Sequence, residues 1–106
     1  MKIITLCGSL RFQKYMMRVA EEMALLGNCI FTPIYPTYET TERTEEQLEM
    51  LKEEHFKKIE LSDAILVINV DDYIGYSTNL EIEYAKKLNK EILYYTDLIK
   101  NKIIKI

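Results

Sequence analysis

Glu81 is an ionisable carboxylate at a position that its surroundings reserve for an apolar side chain. It lies in Ser77-Thr78-Asn79-Leu80-Glu81-Ile82-Glu83-Tyr84-Ala85-Lys86-Lys87-Leu88, a stretch with helical spacing and hydroxyl residues at its start to cap it. At about 100° per residue, Leu80, Ile82, Tyr84, Ala85 and Leu88 average to an arc centred within roughly 20° of Glu81. Glu83 points the other way, where Lys87 completes an i,i+4 pair. Inward carboxylates are costly unless paired, so Glu81 is a functional-site candidate. His55, the single histidine, falls on the same side of its helix as Leu48, Leu51 and Ile59. It reads either as a satisfied core residue or as a proton donor near the same site.

Two polar turns complete the candidate chemistry. Gly8-Ser9-Leu10-Arg11 leaves an apolar run and opens a helix, so it is either an anion cradle of amides, hydroxyl and guanidinium or an ordinary turn with Ser9 as cap. Gly75 to Asn79 opens the next candidate helix in the same manner, with Ser77 and Thr78 as donors, and Tyr73 and Tyr76 beside it can stack on a planar ring. Asp63 caps the start of a strand, and Asp71 and Asp72 are loop carboxylates. With only three glycines there is no G-x-G-x-x-G and no Walker A loop. A Cys7-to-Arg11 loop is too short to curl around a phosphate as a cysteine phosphatase does, so Cys7 reads first as a core residue. No His/Cys spacing marks a metal site. No cofactor is expected.

The elements that must position these residues alternate. Lys2 to Cys7 is a buried strand, Arg11 to Leu26 a helix closed by Gly27, and Cys29 to Pro33 a second strand. A polar connection from Tyr35 to Arg43 leads to a helix over Glu45 to Leu61. Ala64 to Val70 is the third strand, Ser77 to Leu88 the third helix, and Glu91 to Thr96 the fourth strand. The Lys/Ile-rich tail then adds either a short fifth strand or a partner contact. Strand–helix alternation predicts an α/β, flavodoxin-like three-layer sandwich with a parallel sheet of order 2-1-3-4, and a fifth strand if the tail supplies one. Ligands in such sheets bind beyond the carboxyl ends of the strands at the switch point. Cys7 to Arg11 and Asn69 to Thr78 become the two walls of one crevice.

At 106 residues the chain suits a single domain, residues 1–106. A net charge of -3 gives no reason to expect a nucleic-acid polymer or a membrane as partner. There is no bilayer-length apolar run and no signal-peptide layout at the amino terminus. Cys7 and Cys29 both fall in apparent buried strands, which suits reduced thiols and a cytoplasmic protein.

Three segments, Ile4 to Phe12, Ser62 to Asn69 and Gly75 to Ala85, together resemble the nucleoside 2-deoxyribosyltransferase superfamily. The Gly-Ser-x-Arg form is most similar to the deoxynucleoside 5'-monophosphate N-glycosidases and to small bacterial and phage relatives. The resemblance implies a nucleoside or nucleotide N-glycosidase or 2-deoxyribosyltransferase with Glu81 as nucleophile; His55, if protonated and near the leaving base, is the candidate general acid. It also implies that Gly8, Ser9 and Arg11 contact the 5' end or its phosphate, and the substrate-binding set expected around them adds Cys7, Asn69, Tyr73, Gly75, Ser77 and Thr78. The small-molecule partner is then a nucleoside or nucleotide, and the assembly a homodimer or higher homo-oligomer. The chain departs from the monophosphate hydrolases at three places: His55 stands where they carry aspartate, eight residues before Asp63; Asn79 replaces a glycine; and Ser77 is offset from their phosphate-binding serine. The alternative is a non-catalytic nucleotide-binding module of the same fold.

Overall fold

Apolar runs that do not alternate with polar residues, such as Ile3–Cys7 and Ala64–Val67, are satisfied only as strands covered on both faces. The computed structural model describes residues 1–37 and 42–105, so the middle of the predicted polar connection, residues 38–41, lies outside the described residues. In chain order the elements are β1 (Ile3–Cys7), α1 (Gln13–Leu25), β2 (Cys29–Phe31), α2 (Glu45–Leu61), β3 (Ala64–Val67), α3 (Tyr76–Lys87), β4 (Glu91–Tyr94) and α4 (Tyr95–Lys100). Short 3₁₀ turns at Leu10–Phe12 and Val70–Asp72 leave the two central strands. The four strands are parallel in the order β2-β1-β3-β4, with Thr5 opposite both Phe31 and Ile65, and Cys7 opposite Val67. Among the described residues no helix is long and apolar enough to cross a membrane.

Strand alternation divides the core in two. Ile4, Leu6, Ala64, Leu66 and Ile68 face α1 and α4, and pack on Met16, Val19, Met23, Tyr95 and Leu98. Cys7, Ile65 and Val67 face α2 and α3, and pack on Ile59, Ile82 and Ala85. Thr5 points to this second face as well, where its hydroxyl meets Ser62 Oγ at 2.5 Å and the Lys58 carbonyl at 3.2 Å. A buried hydroxyl is thereby satisfied inside the sheet.

Local chemistry sets the ends of the elements. Thr44 and Gln47 form a reciprocal capping box that starts α2 where the sequence predicts it. α1 ends in a Schellman turn: Gly27, at φ +98°, donates to the Ala24 carbonyl while Asn28 donates to that of Met23. Asp63 Oδ2 accepts from the Ile3 N–H at 2.8 Å and so ties the starts of β1 and β3.

Several boundaries differ from the sequence expectation. β2 stops at Phe31 and β3 at Val67, although the Ile68 N–H still bonds the Cys7 carbonyl at 2.8 Å. Cys29 is half-buried rather than buried, because β2 is an edge strand. α3 begins at Tyr76 with Gly75 as N-cap and no side-chain cap, so Ser77 and Thr78 lie in its first turn instead of preceding it. Glu83 pairs with Lys86 at 3.5 Å, not with Lys87.

The tail is the largest departure. β4 gives way to α4 at Tyr95, and no fifth strand is present among the described residues. α4 ends with Lys102 at φ 56° and an Ile103-to-Leu98 backbone bond, a reversal that folds Ile104 into the first core face at 3% exposure. Ile104 is thus a core residue of this chain rather than a contact for a partner. Ile104→Ala is expected to cost roughly 2–5 kcal/mol in a urea titration. An unchanged midpoint would show that the tail does not close the core.

Candidate active site

The carboxyl ends of β1 and β3 open into a cleft of about 810 Å³. The turn after β1 supplies Gly8 and Ser9, the loop after β3 supplies Tyr73, and the start of α3 supplies Gly75, Ser77 and Thr78. Glycine at position 8 suits a close approach, since a Cβ there would stand 3.2 Å from the Cβ of Ile68, just past the end of β3. The Ser9 hydroxyl oxygen accepts from the Arg11 N–H at 3.3 Å and caps the 3₁₀ turn, which leaves its own proton free to donate. The first-turn N–H groups of α3 have no side-chain cap and lie at the cleft, the arrangement that favours an anionic or polar ligand group.

Glu81 sits at the border between core and cleft. The buried face of α3 is carried by Thr78, Ile82 and Ala85, whereas Leu80 and Leu88 are each 38% exposed. Glu81 is therefore flanked by the core on one side only, about 60° from the centre of the buried arc and not at it. Its side chain keeps 19% exposure and lines the cleft. His55 Nε2 lies 3.5 Å from Glu81 Oε1, and the same nitrogen lies 3.5 Å from Cys7 Sγ. The three donor atoms fall within 4.8 Å of one another. His55 Nδ1 is buried with no hydrogen-bond partner among the described residues. Burial pushes the Cys7 thiol well above its ordinary range, and the charge of Glu81 and a hydrogen bond to it push it further. Cys7 is thus held as a neutral thiol near the carboxylate.

Of the residues singled out in the sequence, the structure gathers Gly8, Ser9, His55, Tyr73, Gly75, Ser77, Thr78 and Glu81 around the cleft. Cys7 is fully buried beneath it, in contact with His55 and Glu81. Arg11 does not line the cleft; its guanidinium lies 4.1 Å from the ring centroid of Tyr73, a cation–π contact on the rim. Asn69 does not line it either. Its amide donates to Thr96 Oγ1 at 3.0 Å and accepts from the Thr96 N–H at 3.2 Å, clasping the end of β3 to the start of α4. Asp71 and Asp72 lie outside the cleft in the left-handed region, at φ 53° and 60°.

Sequence reasoning missed one wall. Leu48, Leu51, Lys52 and Phe56 of α2 line the cleft beside His55. The sequence signal is the apolar series Leu48, Leu51 and Phe56 along the same helix as His55, and the fold leaves Leu48 53% exposed at the cleft instead of in the core.

A four-stranded parallel sheet with a cleft at its β1/β3 switch point is a doubly wound α/β architecture, and such sheets take their ligands at that point. Among solved structures, the fold is similar to that of a 2-desoxiribosyltransferase from Leishmania mexicana, with a TM-score of 0.66 and 19% sequence identity. The match covers 90% of this chain and 64% of that one. No protein-family model matches the chain, and no curated protein matches it.

The Cys7 environment has a consequence for stability. Because folding raises the pKa of this thiol, the folded chain holds the proton more tightly than the unfolded one, and stability falls as pH rises past about 8.5. Between about pH 8.5 and 9.5, below the tyrosine range, the wild-type protein is expected to lose up to ~1 kcal/mol more than Cys7→Ser. Chemical denaturation across that window measures the difference. Parallel curves for the two proteins would remove Cys7 from the linkage.

Proposed function

We propose that the protein cleaves the bond between a nucleobase and 2-deoxyribose in a nucleoside or nucleotide, with Glu81 as nucleophile. The observation that carries this reading is a carboxylate that stays accessible at the floor of the cleft while His55 and Cys7 hold it in place from beneath. A nucleophile needs such fixed aim with one side open.

A Glu81 oxygen attacks C1' as the C1'–N bond breaks, and the bonding pair leaves with the base nitrogen. His55 lies within the same wall and delivers the proton that the departing base takes up. The glycosyl ester on Glu81 is then opened at C1' by water or by a second base, whose proton passes to His55 as the carboxylate is restored, as in retaining glycosidases. A 2-deoxy sugar lacks an electron-withdrawing hydroxyl, so its oxocarbenium-like transition state asks for little further assistance.

The polar end of the cleft, with the Ser9 hydroxyl and the first turn of α3 at Ser77 and Thr78, suits the 5' hydroxyl or phosphate. Arg11 reaches that end only by leaving the Tyr73 ring, which makes it a rim contact for a charged ligand. Tyr76, 79% exposed at the mouth, and Phe56 offer planar surfaces to a base. A homo-oligomer agrees with the exposed Leu48 and Met50 on the half of α2 that walls the cleft.

Incubation with a panel of deoxynucleosides and their monophosphates, followed by chromatography of free bases, tests the proposal. Base release is expected from the wild type and at least about 10³-fold less from Glu81→Gln, with unchanged folding. Equal release from the variant would dismiss the nucleophile. Ligand binding without release from any substrate would replace this reading with a non-catalytic nucleotide-binding module, in which Glu81 accepts from a sugar hydroxyl.

A further inference from the structure

The mutual geometry of Cys7, His55 and Glu81 is not that of a nucleophilic relay. A cysteine–histidine–carboxylate relay places the thiol and the carboxylate on opposite nitrogens of the imidazole. Here both approach the same nitrogen, Nε2, at 3.5 Å each, and Nδ1 faces away without a partner among the described residues. Cys7 is also fully buried and cannot reach a substrate. Three donors of different elements, a sulfur from β1, an imidazole nitrogen from α2 and a carboxylate oxygen from α3, instead converge on one point.

That convergence has the dimensions of a metal site. With zinc bonds of about 2.3 Å to sulfur and about 2.0–2.2 Å to nitrogen and oxygen, tetrahedral angles separate S from N by about 3.6 Å and N from O by about 3.4 Å. The observed 3.5 Å and 3.5 Å match both edges. The third edge, within 4.8 Å, closes with a movement of Glu81 on the order of 1 Å. A mixed sulfur, nitrogen and oxygen set of borderline softness selects zinc over magnesium or calcium. Glu81 and His55 line the cleft while Cys7 lies beneath, so the ion enters from the cleft and keeps its fourth position towards it.

We infer that Cys7, His55 and Glu81 form a three-ligand zinc site, and that occupancy of this site withdraws Glu81 from attack on a sugar. The inhibitory half of this inference rests on the function proposed above; the metal site does not. Cys7 binds as the thiolate, so each ion taken up releases the Cys7 proton to the buffer, and His55 contributes the Nε2 lone pair with its own proton on Nδ1.

Cobalt(II) added to chelator-treated protein tests the site directly, because a cysteine ligand produces a thiolate-to-cobalt charge-transfer absorption. One cobalt per chain is expected, with the band bleached by one equivalent of zinc. The band should vanish in Cys7→Ser and persist in Cys29→Ser. Glu81→Gln, at a partly exposed position that does not threaten folding, should weaken zinc binding by at least about tenfold in a chelator competition. Absence of the band in the folded wild type, or its survival in Cys7→Ser, would overturn the site. Zinc is further expected to suppress base release at one equivalent. Release that continues with the site filled would overturn the inhibitory half, whereas a cobalt band in a protein that releases no base would sustain the metal site and defeat the glycosidase reading alone.

Discussion

Everything at the cleft depends on the period-two alternation of two central strands that must be covered on both faces. Ile4 and Leu6 go to one side of β1, and Thr5 and Cys7 to the other. β3 repeats the division with Leu66 against Ile65 and Val67. A register slip of one residue would send Cys7 under α1 and leave the carboxylate of α3 over an aliphatic side chain. The Asp63-to-Ile3 bond and the Thr5–Ser62–Lys58 link both resist such a slip at the starts of the two strands. The register of the sheet therefore decides whether Glu81 has a polar floor.

Given that floor, the cost of an inward carboxylate is contained in two ways. Part of Glu81 remains wet, and the buried part meets a thiol and an imidazole rather than hydrocarbon. The neutral thiol matters here. Next to a carboxylate in a place shut off from water, a second negative charge is disfavoured, so Cys7 keeps its proton. The Tyr84 hydroxyl on Glu60 and the Lys58 ammonium on the Thr32 carbonyl, by contrast, lie at the outer edges of the helices and join elements without touching the cleft.

How much of this the sequence disclosed follows from the range of the interactions. The strand order, the start of α2 at its capping box and the switch-point cleft were legible, because apolar runs, caps and crossover handedness are local or topological rules. The inward turn of Glu81 was legible too, but its place at the border was not. Leu80 and Leu88 count as core on a helical wheel, and only packing shows that both sit 38% exposed beside the cleft. Asn69 and Arg11 were read as ligand contacts because they occupy the crevice walls in sequence. Their partners, Thr96 and the Tyr73 ring, are tertiary and carry no local pattern. The tail misled for a related reason: an Ile-rich segment has strand propensity, and the reversal at Lys102 that buries Ile104 depends on a left-handed residue with no glycine to announce it.

The convergence on His55 Nε2 belongs to the same class of information. Cys7 and His55 are 48 residues apart, and no spacing rule for metal ligands or relays joins them to Glu81. Taken singly, each has an innocent explanation as a core thiol, a boundary histidine and a helix-face glutamate. Together they form a polar cluster on a largely apolar sheet face, separate from the Thr5–Ser62 pair at the other end of β1. Core packing would be served as well by Val, Leu and Leu there, since replacing buried polar clusters by hydrocarbon is often neutral or stabilising. A fold that keeps all three at one point, with one side open to a cleft, retains them for what the point can bind or do. The carboxylate is the member shared by the two proposed uses, and a group proposed as nucleophile when bare and as ligand when metallated would make them mutually exclusive.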